Sequence, residues 1–385
     1  MVRIHQRAPY PPYVSMRLRP VATACGLAGI ALLLFVFRLS VPPLSQAESD
    51  FNTQAVSIAG GNTPLFFHVR EEQWLQPAAV YANAAIRAVG GDDVSGRLAS
   101  VVAAAISVAL LFLIAHEVTG SWWASALASL TLLMTPAFWS LAQRGTDAII
   151  PLPFLLLWLL NVLRFLKGDS LRTVATAGAM LGIGTYTHPA APLTTVFLWG
   201  LTLVVARRRN PARLIAATAV FGAAWLPAAV WFLRHADTYP DTFGRWFVFA
   251  PHLRTPLDGL RAFFNAGTLG NRASAYWGFW DPAWLFISTP ESPAPLLLVA
   301  APLIALGVFR GTRHISRDAA ILFIGAALLA PLAGATFGPP RYLADATVVM
   351  PILALFSALG ARELVSLATP PSHRTYQSGD TEPGG

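Results

Sequence analysis

The sequence has little charge. Only 12% of its 385 residues are Asp, Glu, Lys or Arg, whereas soluble domains carry about a quarter. Hydrophobic residues make up 55% of the chain and the mean hydropathy is +0.54. This composition excludes an ordinary water-soluble enzyme, a disordered chain and a coiled coil. It predicts that the solvent for most of the chain is lipid.

Cysteine and lysine are almost absent. Cys25 is the single cysteine and lies within the first apolar run, which excludes an intrachain disulfide and a cysteine-based metal site. Lys167 is the single lysine, so the net charge of +8 comes from arginine. The arginines form short clusters between apolar runs, as in the cytoplasmic loops of membrane proteins. This distribution argues against a nucleic-acid partner.

Several catalytic and transport motifs are missing from the sequence. It has no P-loop, no dinucleotide glycine fingerprint, no HExxH and no GxSxG, so ATP-driven transport and serine hydrolysis gain no support. The apolar runs also lack the paired interior charges that proton-coupled transporters use.

Ten apolar runs approach the length that crosses a bilayer, about 20 helical residues. They lie near 21–37, 95–115, 121–141, 147–163, 173–187, 190–205, 214–233, 293–309, 319–336 and 344–361. They predict an all-α integral membrane protein, a polytopic bundle of about ten transmembrane helices. The first run could be a signal peptide, since Arg17 and Arg19 precede it and Ser45-Gln46-Ala47 resembles a cleavage site. A start anchor is the favoured reading.

Segment 76–89 decides the predicted topology. As a helix it reaches only about 21 Å, and it contains Arg87, so we expect an interfacial helix in the first external loop. The basic clusters that begin at residues 164, 207 and 310 are then cytoplasmic, as the positive-inside rule requires. The expected divisions are a cytoplasmic tail 1–20, a membrane domain 21–365 with external loops 39–94 and 234–292, and a disordered cytoplasmic tail 366–385. The polar residues that could carry a reaction then lie on the extracytoplasmic face.

Four acidic or basic candidates fall in the first external loop. Glu48 and Asp50 could share a divalent cation, one could act as a base, or both could be a solvated pair. His68 and Glu72 belong to a mixed-charge run of a kind that is usually a solvated loop.

Arginines open or connect several spans. Arg97 begins the second span, and Arg144 and Asp147 lie between the third and fourth. Each arginine could bind a phosphate or simply reach toward lipid headgroups, and Arg144 could pair with Asp147. Arg341 and Tyr342 precede the last span, where the guanidinium of Arg341 matches the oxygens of a lipid-linked phosphate.

His188 lies in the turn of the short hairpin formed by the fifth and sixth runs. It is either a satisfied turn residue or a ligand.

Four segments, in this order, resemble the GT-C class of membrane glycosyltransferases, in the branch of protein O-mannosyltransferases and aminoarabinose transferases. They are ESDFNTQAVSIAGGNTPLFF, QPAAVYANAAIRAVGGDDVSGRLASVVAA, QRGTDAIIPLPFLLL and GIGTYTHPAAPLTTV. The first is similar to the family's acidic first loop and the second to its interfacial helix followed by Arg-Leu-x-Ser. The third resembles the second external loop, and the fourth resembles the Gly-x-x-x-Tyr-Thr-Tyr hairpin, with His188 where an aromatic residue is common.

The resemblance implies a polyprenyl-phosphate sugar donor, inversion at the anomeric carbon and a protein, lipid or glycan acceptor. The family's catalytic acid falls on Glu48 or Asp50, which are also the candidate ligands of a Mg or Mn ion. Donor phosphate would be bound by Arg341, Arg144 and Arg97. The further site residues would be Asp147, His188, Tyr342, His68 and Glu72.

This chain departs from the family pattern at two places. It has Glu-Ser-Asp where an adjacent Asp-Glu is frequent, and Gln76 where some members have an acid. These departures keep open an inactive family member that serves as a scaffold. A transporter or flippase of a lipid-linked saccharide is the other alternative, but it would need polar residues through the span interiors, and their concentration at one face favours the enzyme.

Overall fold

A computed structural model describes residues 13–37, 39, 43–70, 73–235, 265–289, 293–337 and 343–368. In chain order the helices are α1 (Tyr13–Val36), α2 (Gln46–Ala59), α3 (Pro77–Ala88), α4 (Arg97–Thr119), α5 (Trp122–Leu133), α6 (Pro136–Ala142), α7 (Pro151–Gly168), α8 (Leu171–Gly184), α9 (Ala191–Ala206), α10 (Pro211–Ala223), α11 (Leu226–Arg234), α12 (Leu269–Gly278), α13 (Pro282–Phe286), α14 (Ala301–Phe309), α15 (Arg317–Phe337) and α16 (Val349–Ala368). Strands β1 (Phe67–Arg70) and β2 (Gln73–Leu75) form one antiparallel pair.

All ten predicted apolar runs are helical. Among the described residues, six spans are long and apolar enough to cross a bilayer, with α10 and α11 counted together. The bent pair α5–α6 makes a seventh if it is one span. The remaining runs give the shorter helices α8, α9 and α14. The protein is therefore a multi-pass, all-α membrane protein, as predicted.

The 66° bend between α5 and α6 has a local cause. Pro136 occupies the first turn of α6, and Thr135 before it is extended, with φ −69° and ψ 124°. The residue before a proline is pushed out of the helical region, so the span breaks at this point.

The centre of the bundle is α4, which packs against α1, α5 and α7. At another crossing, α14 meets α16 backbone to backbone, because a Cβ at Gly307 or Gly360 would collide with the facing helix. Small residues let membrane helices approach closely where lipid gives no hydrophobic drive to association.

The segment predicted as the first external loop has more structure than expected. Residues 77–88 form the predicted short helix, α3. The loop also contains α2 and the strand pair β1–β2, which the sequence analysis did not predict. The pair is short and irregular between His68 and Arg70, so alternation of polar and apolar residues extends over too few positions to indicate strands.

Candidate functional site

Helix α2 begins with a reciprocal capping arrangement. The Ser45 hydroxyl accepts the Glu48 N–H at 3.3 Å, and the Glu48 carboxylate accepts the Ser45 N–H at 2.8 Å. This Ser-x-x-Glu capping box turns the Glu48 side chain back toward the start of its helix.

The Glu48 carboxylate is buried and fully hydrogen-bonded. Its Oε1 accepts Arg97 Nε at 2.7 Å and the Gly145 N–H at 2.9 Å. Its Oε2 accepts Arg97 Nη2 at 3.2 Å and the Ser45 hydroxyl at 2.9 Å. Burial by itself raises the pKa of Glu48, but the hydrogen bonds from Arg97, Gly145 and Ser45 outweigh it and hold that pKa below its ordinary value.

The Arg97 guanidinium is equally enclosed. Besides Glu48, it donates from Nη1 to the Leu39 carbonyl at 2.6 Å and from Nη2 to the Pro43 carbonyl at 3.1 Å. Arg97 is 1% exposed. It thus joins α4 to the chain that leads from α1 into α2. This geometry favours a positioning role over the predicted contact with a donor phosphate.

Asp50 occupies a different side of α2. Two residues along a helix correspond to a rotation of about 200°, and Asp50 is half-buried where Glu48 is buried. Both Glu48 oxygens already accept hydrogen bonds, and no cluster of three His, Cys, Asp or Glu residues occurs in the described part of the chain. The predicted sharing of a Mg or Mn ion by Glu48 and Asp50 does not fit this arrangement.

The loop before α7 is fixed by the same ion pair. The Gly145 N–H is bound to Glu48, and the Ser100 hydroxyl donates to the Thr146 carbonyl at 3.2 Å. Within this fixed loop the Arg144 side chain is exposed and Asp147 is half-buried. Arg144 is therefore a cation held on a rigid support and open to a ligand.

His188 is buried in the turn between α8 and α9. It is 3% exposed, and its Nδ1 accepts the Ala190 N–H at 3.1 Å. It lines a small cavity together with Pro151, the first residue of α7, and Asp345. Asp345 was not among the predicted site residues, although an acid at the beginning of the predicted apolar run 344–361 was a usable signal.

The other candidates have varied placements. His68 is exposed on β1 and contacts the Trp74 ring, with 4.9 Å between ring centroids. Gln76 is buried, and its Oε1 has no hydrogen-bond partner in the described residues. The predictions for Glu72, Arg341 and Tyr342 lie outside the described residues.

A multi-pass helical bundle, with α2, α3 and the loop before α7 gathered at the start of α4, is the fold of GT-C membrane glycosyltransferases. A search of solved structures gives ArnT from Cupriavidus metallidurans bound to undecaprenyl phosphate, at a TM-score of 0.58 and 14% identity. It also gives the archaeal oligosaccharyltransferase AglB from Archaeoglobus fulgidus, in complex with an inhibitory peptide and a dolichol-phosphate, at 0.52 and 13%. The alignments cover 93% and 90% of this chain, but 63% and 52% of those chains.

The family comparison agrees with the fold. Residues 76–231 match the family described as dolichyl-phosphate-mannose-protein mannosyltransferase. No curated protein matches the sequence significantly. The chain has the GT-C fold of ArnT and AglB and is similar to the mannosyltransferase family over residues 76–231, so the resemblance predicted from the sequence is confirmed.

Proposed function

We propose that this chain transfers a sugar from a polyprenyl-phosphate donor to an acceptor on the extracytoplasmic face of the cytoplasmic membrane. The observation that carries the proposal is the exposed Arg144 on a loop fixed by the buried Glu48–Arg97 pair. Because the loop backbone is fixed before the donor binds, little reorganisation is needed to bring this cation to the phosphate as its charge develops. The ArnT and AglB structures contain lipid phosphates, which supports this class of donor.

The proposed reaction is a single displacement. Asp50 accepts the proton of the acceptor hydroxyl or amine as that atom attacks the anomeric carbon. The bond from that carbon to the phosphate oxygen breaks, the configuration inverts, and polyprenyl phosphate leaves. Arg144 and Arg341 stabilise the charge of the departing phosphate. Glu48 and Arg97 position the loop, and no step passes through a metal ion.

The proposed orientation follows from charge at the two ends of the bundle. Helix α4 begins at Arg97 and runs to Glu117 near its other end, where the Glu117 carboxylate pairs with Lys167 at 2.7 Å. Lys167 belongs to one of the basic clusters, so this cluster lies at the end opposite to Arg144. The positive-inside rule puts that basic end, with both termini, in the cytoplasm.

A donor assay tests the proposal. Purified protein is incubated with undecaprenyl-phosphate sugars, hexose and pentose, and released undecaprenyl phosphate is measured by mass spectrometry. We expect release by the wild type and none by the Asp50→Asn, Arg144→Ala double variant. Equal release by both proteins would exclude this site.

The second candidate function is an inactive scaffold. It is favoured by the engagement of Glu48 in the ion pair, which leaves Asp50 as the one acid of α2 that could act as a base. A wild type that binds undecaprenyl phosphate but releases none from any donor would support this function.

A further inference from the structure

A phenol hydroxyl occupies a gap in the backbone hydrogen bonds of the span formed by α10 and α11. The Tyr186 hydroxyl accepts the Ala228 N–H at 3.2 Å and donates to the Ala224 carbonyl at 2.7 Å. In a regular helix these two backbone groups would bond each other, because they stand four residues apart. Among the described residues, no backbone bond joins them. The hydroxyl therefore replaces one hydrogen bond of the helix with a bridge from another part of the chain.

Pro227 explains why the gap lies at this place. Proline has no N–H, and its ring collides with the carbonyl four residues earlier, which here belongs to Ala223, the last residue of α10. The two residues between α10 and α11 keep helical dihedral angles, with φ −65° and ψ −18° at Ala224 and φ −85° and ψ −11° at Trp225. The span is thus opened at one point and not unwound, as happens when a side chain inserts between the hydrogen-bonding groups of a helix.

The backbone of Tyr186 holds the first external loop. Its carbonyl accepts the Ala78 N–H, in the first turn of α3, at 3.2 Å. Helix α3 packs against α2, which carries Asp50. One residue therefore joins the opening in the span to the elements that hold the proposed catalytic base.

Aromatic side chains make the same connection from α11. The Trp231 ring contacts the rings of Phe66 and Trp74, with 5.0 and 5.3 Å between centroids. Trp74 lies on β2, which leads directly into α3. A change in the direction of α11 would therefore displace the strand pair and α3 together.

We propose that Tyr186 is a positioning residue: by bridging Ala224 and Ala228 it fixes the angle between α10 and α11, and thereby the place of the first external loop. Because Pro227 opens the helix here, these two backbone groups would otherwise lack partners, and Ala228 is buried. The effect on catalysis rests on the proposed function, in which this loop carries the base Asp50. The effect on the span does not.

Distance measurements on the full chain test the span without any donor. In a Cys25→Ser background, spin labels are attached at Ile215→Cys on α10 and Leu233→Cys on α11, both at exposed positions. These positions are about 27 Å apart along the helix. We expect one narrow distance with Tyr186 in place. Tyr186→Phe should lose it and give a broad distribution, because the two backbone groups lose their common partner. An unchanged narrow distance in this variant would overturn the inference.

The matched control is Tyr276→Phe. The Tyr276 hydroxyl also donates to a helix carbonyl, that of Leu328, at 3.0 Å, but it does not bridge two halves of one span, so its loss should leave the label distance unchanged. If Tyr186→Phe does not fold, Pro227→Ala is added to it so that the helix can close. We then expect a narrow distance that differs from the original one, and an identical distance would overturn the inference.

Turnover and binding test the positioning. Tyr186→Phe should lower kcat for release of undecaprenyl phosphate by about 10–100-fold, because a small displacement of reacting groups costs that much. Its Kd for undecaprenyl phosphate should stay that of the wild type, because the Arg144 loop is held by the separate contact between Glu48 and Gly145. Tyr276→Phe should change neither quantity.

Two outcomes separate this inference from the proposed function. Wild-type kcat in Tyr186→Phe, together with an altered label distance, would overturn the positioning role. A wild type that releases no undecaprenyl phosphate would refute the proposed function instead, and the label distances would then decide whether Tyr186 fixes the span.

Discussion

Arg97 and Glu48 face each other in a two-point ion pair, with Nε to Oε1 at 2.7 Å and Nη2 to Oε2 at 3.2 Å. Both side chains are almost completely buried. An arginine matches a carboxylate at two points in a way that lysine cannot. The pair holds the start of α2, the start of α4 and the loop before α7 in one arrangement.

Breaking this pair from one side should destabilise the protein strongly. We expect Arg97→Ala to cost about 3–5 kcal/mol, because it leaves a carboxylate buried without its partner. Arg97→Lys should fall between this variant and the wild type. The check is chemical or thermal unfolding in detergent. Arg172→Ala, at an exposed position on α8, serves as the control, and an Arg97→Ala protein as stable as this control would contradict the prediction.

The same ion pair should make the stability of the protein depend on pH in the acidic range. The folded pKa of Glu48 is below its ordinary value of 4.5, so its contribution is complete above that pH and is lost as the pH falls toward the folded pKa. We expect the wild-type Tm to drop on acidification below about pH 4.5. Glu48→Gln should start lower and drop less over that range. Parallel pH curves for the two proteins would refute this assignment.

Substitution of the two acids of α2 should affect activity and stability differently. Asp50→Asn should reduce donor turnover by about 10²–10⁴-fold with little change in Tm, since Asp50 is half-exposed. Glu48→Gln should lower activity and Tm together, because it disturbs the support of Arg144. Measuring kcat and Tm on both variants decides the matter. Full turnover by Asp50→Asn would remove it as the base.

Arg144 should matter for chemistry and not for folding. We expect Arg144→Ala to lower kcat by about 10²–10³-fold, the effect of losing one preorganised charge donor, and to leave Tm unchanged because the side chain is exposed. Arg144→Lys should recover only part of the loss, since a point charge replaces a two-point contact. The control is again Arg172→Ala, which should keep wild-type kcat.

Cysteine labelling tests the orientation. In a Cys25→Ser background, we expect Ser49→Cys to react with a membrane-impermeant maleimide in intact cells and Arg208→Cys to react only after permeabilisation. Both positions are exposed, so the barrier is the membrane itself. Labelling of both cysteines from the same side would place Arg144 and the basic clusters on one face and refute the proposed topology.

The helices were predictable because lipid imposes a simple rule on sequence: an apolar run of sufficient length becomes a helix. Residues 77–88 were predictable for the opposite reason, since they are too short to span and contain Arg87. The roles of Glu48 and Asp50 were not, because spacing alone treats the two acids alike. Ser45 was the overlooked signal: its capping box with Glu48 indicates which acid turns inward.

The contact between Glu48 and Gly145 could not be predicted from the sequence. A backbone N–H leaves no trace in residue identity, and which loop meets α2 depends on how α4, α5 and α7 pack. The cavity between His188 and Asp345 depends in the same way on the close approach that Gly334 permits.

Beyond the two hydrogen bonds from Ser45, the Glu48 carboxylate accepts the others from residues that the ribosome makes much later. Arg97 arrives with α4, and the Gly145 N–H arrives only after α5 and α6. Until then the carboxylate lacks its ion-pair partner and its backbone donor, so the contacts that fix the start of α2 cannot form. The first loop is therefore translated early but reaches its final arrangement late. Its last contact needs Gly145, which is made just before α7 begins.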